Sequence, residues 1–158
     1  MGGQAILVGS AASVLALGIG AALADNAPAP NPFSRFSSAD AVVLAVTSEF
    51  APPGGHVRVA IYDGEDSFLE TAQSKREAIV GDSGVALLTI SDLTPGDYAF
   101  VAYYDRNGDG KLNRNFIGRP KEPYVFSNNV RPKLRKPTFA ETKVAVAPGE
   151  VVVLTLKD

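Results

Sequence analysis

Residues 84–105 read GVALLTISDLTPGDYAFVAYYD. Two short runs of β-branched, aliphatic and aromatic residues flank Ser91-Asp-Leu-Thr-Pro-Gly96, and neither run is long enough for a typical helix. Both read as strands. The Pro95-Gly96 pair between them predicts a type II turn, with proline presetting φ and glycine taking a positive φ. Working outward, the same grammar recurs. Val42, Leu44 and Val46 alternate with Val43, Ala45 and Thr47. Val57, Val59 and Ile61 share a face, with Arg58, Ala60 and Tyr62 on the other. Residues 142–147 and 150–157 close the chain as two more strands. Several runs are apolar on both faces, so periodicity alone does not say which face is inside. Pro52-Pro-Gly-Gly55 separates the first two strands, and Ala147-Pro-Gly-Glu150 predicts the turn of a final hairpin. One short helix is expected at 67–73, with Asp66 as its N-cap. The expected fold is all-β: a single antiparallel β-sandwich of about seven strands, prealbumin-like or Ig-like, with one long irregular loop over 106–140.

The 158 residues divide into three segments. Residues 5–23 carry no charge and lead to Ala22-Leu-Ala24, a small-x-small pattern, so 1–24 read as a signal peptide helix. An uncleaved membrane anchor is the alternative, since the run approaches the length of a span. Residues 25–38 form a flexible Pro/Ser-rich linker, and 39–158 the sandwich domain. The absence of cysteine excludes disulfides, thiolate metal sites and a cysteine nucleophile. The expected location is periplasmic or secreted in a bacterium, with no stable membrane span once the signal is cleaved.

Net charge is only −2, but residues 106–143 hold ten Lys and Arg against three acids. This basic segment either meets an anionic partner or membrane surface, or folds over the acidic remainder and neutralises it. No nucleic-acid-reading module is present, and nucleic acid is excluded as a partner.

After Tyr104 the chain runs into Asp105-x-Asn107-x-Asp109-Gly110-x-x-Asn113. Alternating oxygen side chains followed by glycine suit a loop wrapping Ca²⁺. Asp105, Asn107 and Asp109 would stand at ligand positions one, three and five. Lys111 would offer its carbonyl at seven, and Asn113 its side chain at nine. Position twelve is Phe116 where a bidentate Glu is expected, leaving Glu122 or Asp63 to replace it. Two loop carboxylates imply weak affinity, about 10⁻⁴ to 10⁻³ M. The alternative is an ion-free hairpin loop in which Asn107-Gly108 and Asp109-Gly110 supply turn conformations.

A second constellation, Glu122, Tyr124, Ser127 and Asn128 with Asn129, reads either as the wall of a ligand pocket that includes Asp63, or as side chains satisfying an irregular backbone. Tyr103, Tyr104, Tyr124 and Phe126 offer a stacking surface for a small polar or glycan ligand. Strands ending at Asp63 and Asp105 are expected to deliver both aspartates to one edge of the domain. Catalysis has little support. His56 is the one histidine, Ser127 lacks a nucleophile motif, and a weak hydrolase would need two of Asp63, Asp105 and Glu122 brought together.

Four blocks carry a resemblance: Val59-AIYD-Asp63, Leu93-TPGDYA-Ala99, Tyr104-DRNGDGKLN-Asn113 and Gly118-RPKEPYVFSN-Asn128. In this order, over roughly 40–157, they resemble the bacterial domain-of-unknown-function family 2141. The Leu-x-Pro-Gly-x-Tyr block is also similar to prealbumin-like and carboxypeptidase-regulatory-like sandwiches. The resemblance implies an exported, envelope-associated β-sandwich and no known reaction. The expected function is a non-catalytic binding or structural domain with a calcium-ordered loop, its partner an envelope component. The alternatives are a small-ligand or glycan binder and a weak carboxylate-dependent hydrolase.

Overall fold

A computed structural model describes residues 31–131 and 135–158. The expected signal peptide lies outside the described residues. Eight strands form two sheets: β1 (Val42–Ser48), β2 (His56–Tyr62), β3 (Ser74–Ile79), β4 (Val85–Ile90), β5 (Gly96–Asp105), β6 (Tyr124–Phe126), β7 (Val144–Val146) and β8 (Val151–Leu156). One sheet has the order β4-β1-β8. The other runs β3-β2-β5-β6, with β7 pairing the start of β5. The alternating sets read from the sequence meet between the sheets. Leu44 and Val46 of β1, and Leu154 and Leu156 of β8, pack in one core with Val57, Val59, Ile61 and Phe100. This is an all-β sandwich, as expected. No helix among the described residues is long and apolar enough to cross a membrane.

Pairing departs from the sequence reading in four ways. β1 and β8 run parallel, with Val43 opposite Val151. Antiparallel strands can follow one another through a tight turn, but a parallel pair needs a long crossover, and here the rest of the domain supplies it. The Ala147–Glu150 turn forms, with Glu150 N donating to the Ala147 carbonyl and Gly149 at φ +95°. It does not make a hairpin, because β7 joins one sheet and β8 the other. Gly96 has no positive φ, so the type II turn is absent; the glycine opens β5 opposite Val146 instead. Residues 67–73 form turns rather than a helix.

Three elements were not read from sequence. β3, Ser-Lys-Arg-Glu-Ala-Ile, is an edge strand whose charged residues face solvent and hide its alternation. β6 and the short helix α1 (Phe139–Thr142) lie within the stretch expected to be irregular. Thr138 and Glu141 close a capping box at the start of α1.

The largest error concerns the two aspartates. β2 and β5 are antiparallel, pairing His56 with Asp105 and Tyr62 with Ala99. Asp105 therefore lies beside the start of β2, and Asp63, which follows its end, lies at the opposite edge.

Candidate functional site

On β2, odd-numbered residues enter the core, so Arg58, Ala60 and Tyr62 face outward. On β5, Ala99, Val101 and Tyr103 share that outer face. Register then builds two rows across the sheet. The first is Glu77–Arg58–Tyr103–Tyr124 and the second Lys75–Ala60–Val101–Phe126. Ala60 and Val101 are small, and large side chains stand around them. The sheet is thereby dished into a cleft of about 1100 Å³. Tyr62, Val101 and Phe126 form a second apolar cluster on this face with Phe68 and Phe139. That is why the strands read as apolar on both sides. Tyr103, Tyr124 and Phe126 thus belong to the cleft. Tyr104 has the opposite parity and packs edge-on to Phe50 against the core.

Segments 110–120 and 135–137 wall the cleft. They bring Lys111, Arg114, Arg119, Arg135 and Lys136, and β3 adds Lys75. Arg135 forms a bidentate pair with Glu141, whose carboxyl is held at about 2 by that guanidinium and the Thr138 N–H. The others make no salt bridge among the described residues. Glu77 is the one acid among the lining residues, and it is engaged by Arg58 and His56. Low-dielectric walls carrying one sign of charge focus the field and draw in anions. Leu69, at the cleft margin, sits at φ +63°, a backbone state costly for a branched residue.

Segment 105–122 is held by its own side chains. Asp105 is 3 % exposed. Its Oδ1 accepts from Gly108 N at 2.8 Å. Its Oδ2 accepts from Gly110 N at 2.8 Å and Arg58 Nε at 3.0 Å. Gly110, at φ +76°, lies with its Cβ direction 3.6 Å from the guanidinium carbon of Arg58. Asp109 accepts from Lys111 N and from the amides of Asn107 and Asn113. Glu122 Oε1 accepts from Arg106 N and Oε2 from Asn113 N.

The carboxylates of the expected calcium loop spend their oxygens on backbone, amide and guanidinium N–H groups. The first-position carboxylate already faces a guanidinium, and N–H groups occupy both of its oxygens. Phe116 projects into solvent. Glu122 gives both oxygens to backbone, and Asp63 lies at the far edge, where it accepts from Ser67 Oγ. Among the described residues no three His, Asp or Glu side chains form a metal-binding group.

Burial pushes the Asp105 carboxyl up, but the Gly110 N–H, Arg58 and the Gly108 N–H outweigh it and hold its pKa below the ordinary 3.8. Asp109 is lowered too, chiefly by the Asn113 amide and the Lys111 N–H. The stability linked to lowered carboxyls is present above their ordinary values, 3.8 for the aspartates and 4.5 for Glu141, and is lost as pH falls through their folded-state values. Thermal stability should therefore hold level down to about pH 5 and fall progressively below it, with a shallower fall in Asp105→Asn. A decline beginning near neutrality would contradict this.

Ser127, Asn128 and Asn129 serve backbone. Ser127 Oγ accepts from Phe100 N and donates to the Thr142 carbonyl. The Asn128 amide donates to the carbonyls of Glu141 and Lys143. Asn129 pairs with Thr155 N and the Val153 carbonyl on the edge of β8. Of the expected pocket set, Tyr124 alone lines the large cleft. Arg58, Ala60, Lys75, Val101 and the wall cations were missed as site residues. The alternation Arg58-Ala60-Tyr62 and the basic segment were their visible signals.

A model of the family described as an uncharacterized protein conserved in bacteria (DUF2141) matches residues 47–153, more than half of the chain. No curated protein matches it.

Proposed function

The chain belongs to the bacterial DUF2141 family, and from that premise we propose that it is a non-catalytic binding domain, exported from the cytoplasm, whose ligand is a small anion with a flat face. One observation carries the reading: the dish over Ala60 and Val101, floored by tyrosine and phenylalanine and rimmed by Lys75, Lys111, Arg114, Arg119 and Lys136. A ring lying on Tyr103 and Tyr124 would bury its apolar face, while its carboxylate, sulfate or phosphate groups meet the rim. Acidic sugars and aromatic carboxylates share this chemistry. Export is supported by the uncharged run 5–23 and the small-x-small pattern Ala22-Leu-Ala24 that ends it. The non-catalytic assignment rests on the carboxylates. Asp63 stands at the far edge, and neither Asp105 nor Glu122 lines the cleft. Glu77 is held by Arg58 and His56.

Thermal shift of the full chain against a uronic acid, a sugar phosphate, an aromatic carboxylate and a neutral hexose tests this. The anionic rings should stabilise the wild type and the hexose should not. Hydrogen bonds to charged groups contribute about 1.5–3 kcal/mol, so Lys111→Gln or Arg119→Gln should each weaken binding roughly tenfold or more. Ala60→Trp, which fills the dish from its partly buried floor, should abolish binding, with the fold checked by its denaturant midpoint. Equal stabilisation of wild type and Ala60→Trp would place the ligand elsewhere. No stabilisation by any anionic ring would overturn the reading.

A further inference from the structure

Residues 110–121, GKLNRNFIGRPK, hold four cations and no acid. At their centre Phe116 is 98 % exposed and Ile117 59 %. Isolated apolar residues on a surface need no explanation, but this pair is presented by a braced tip. Asn115 N donates to the Arg119 carbonyl at 2.8 Å, and Gly118 N to the Asn115 carbonyl at 2.9 Å. Asn115 Oδ1 accepts from Ile117 N and Arg119 N at 3.1 and 2.9 Å. Gly118 at φ +79° closes the turn, Arg114 bridges Pro120, and Arg114 Nη1 donates to the Gly118 carbonyl. The fold therefore holds a phenylalanine and an isoleucine out in water on a stiff hairpin, with Lys111, Arg114, Arg119 and Lys121 around its base.

We propose that this tip docks onto the surface of an anionic phospholipid membrane. Phe116 and Ile117 enter the boundary between headgroups and acyl chains, and the four cations meet lipid phosphates. Interfacial binding grows with buried apolar area and with electrostatic attraction to anionic lipids, and the tip offers both. A folded protein partner suits the tip less well. A specific interface needs about 800 Å² per partner with shape complementarity, and two protruding side chains do not supply it. Cations that make no salt bridge among the described residues match a fluid, adaptable anionic surface. Ile117 also lines the cleft, so a domain seated this way holds the cleft mouth at the headgroup layer. The inference shares Lys111, Arg114 and Arg119 with the cleft rim but does not need the cleft to bind a ligand.

The chain has no tryptophan, so Phe116→Trp in the full chain places a single reporter on an exposed position. Vesicles of phosphatidylglycerol should shift its emission to the blue and expose it to quenchers attached to the acyl chains. Phosphatidylcholine vesicles should do neither. Each Gln replacing Lys111, Arg114, Arg119 or Lys121 should weaken the response about fivefold, and molar salt should remove it. Attachment through residues 5–23 would leave this emission at its value in water, so it cannot imitate the expected result. Unshifted emission at saturating phosphatidylglycerol, or an equal shift with phosphatidylcholine, would overturn the proposal. So would a shift produced only by adding a second protein.

Discussion

Asp105→Ala should cost about 3 kcal/mol and lower the thermal midpoint by roughly 10 °C. The carboxylate is buried at the end of β5 and accepts from two backbone N–H groups and the Arg58 guanidinium. Its removal takes the acceptor from all three at once, and hydrogen bonds to a charged group contribute about 1.5–3 kcal/mol; Arg58 keeps its contact with Glu77. The damage should be local as well as global. Protease cuts should appear between Arg106 and Lys121, because the loop loses the anchor that sets its turn. Combining Asp105→Ala with Arg58→Met closes a double-mutant cycle that reads the coupling of the pair directly, with Arg58→Met alone also releasing Glu77. The wild type should keep its thermal midpoint in excess chelator, since Arg58 stands where a calcium loop would present its first carboxylate to the ion. A midpoint that falls in chelator and returns with calcium would reverse that assignment. Asp105→Ala within about 0.5 kcal/mol of wild type would show that the network adds little.

Ser127→Ala should be nearly as damaging, at about 2–4 kcal/mol. Along one side, β5 pairs β7 at residues 96–98 and β6 at residues 101–103. Between them lies a gap in the ladder at Ala99 and Phe100. Ser127, fully buried, fills it: its Oγ accepts from Phe100 N at 2.9 Å and donates to the Thr142 carbonyl at 2.5 Å. Alanine leaves a buried donor and a buried acceptor without partners in a region closed to water. Ser127→Thr keeps the hydroxyl and isolates the effect of bulk. Denaturant unfolding of the three proteins is the measurement. A wild-type midpoint for Ser127→Ala would mean that water or a shifted strand repairs the seam. Asn128 and Asn129 extend the same tie to Glu141 of α1, to Lys143 just before β7 and to the edge of β8, so the Ser-Asn-Asn run joins β5, α1 and β8 through side chains. From sequence it suited a pocket wall equally well, because short polar side chains serve ligands and backbone alike.

The contrast between Asp105 and Asp63 shows where legibility ended. Both follow a Tyr at the end of a β-branched run, and the chain presents them as equivalents. Antiparallel pairing of β2 and β5 sends them to opposite edges. Nothing local to either residue encodes that choice. Arg58 was read correctly as sharing a face with Ala60 and Tyr62. Its partner, Asp105, lies 47 residues away in sequence, so its role as the cation of the loop was invisible.

The sequence by itself determined the all-β class, because backbone sterics give strands a period of two and the apolar residues repeat with it. It also determined six of the eight strands, the Ala147–Glu150 turn, the concentration of positive charge after residue 105, and the family. Tertiary structure alone decided which outer face becomes a cleft, that β1 and β8 run parallel, and that a guanidinium stands at Asp105. The physical reason is that alternation fixes the two faces of one strand, whereas a site is made by register between strands. Register is set by contacts across the whole domain, where small residues such as Ala60 and Val101 acquire a role only from the larger side chains that pairing puts around them.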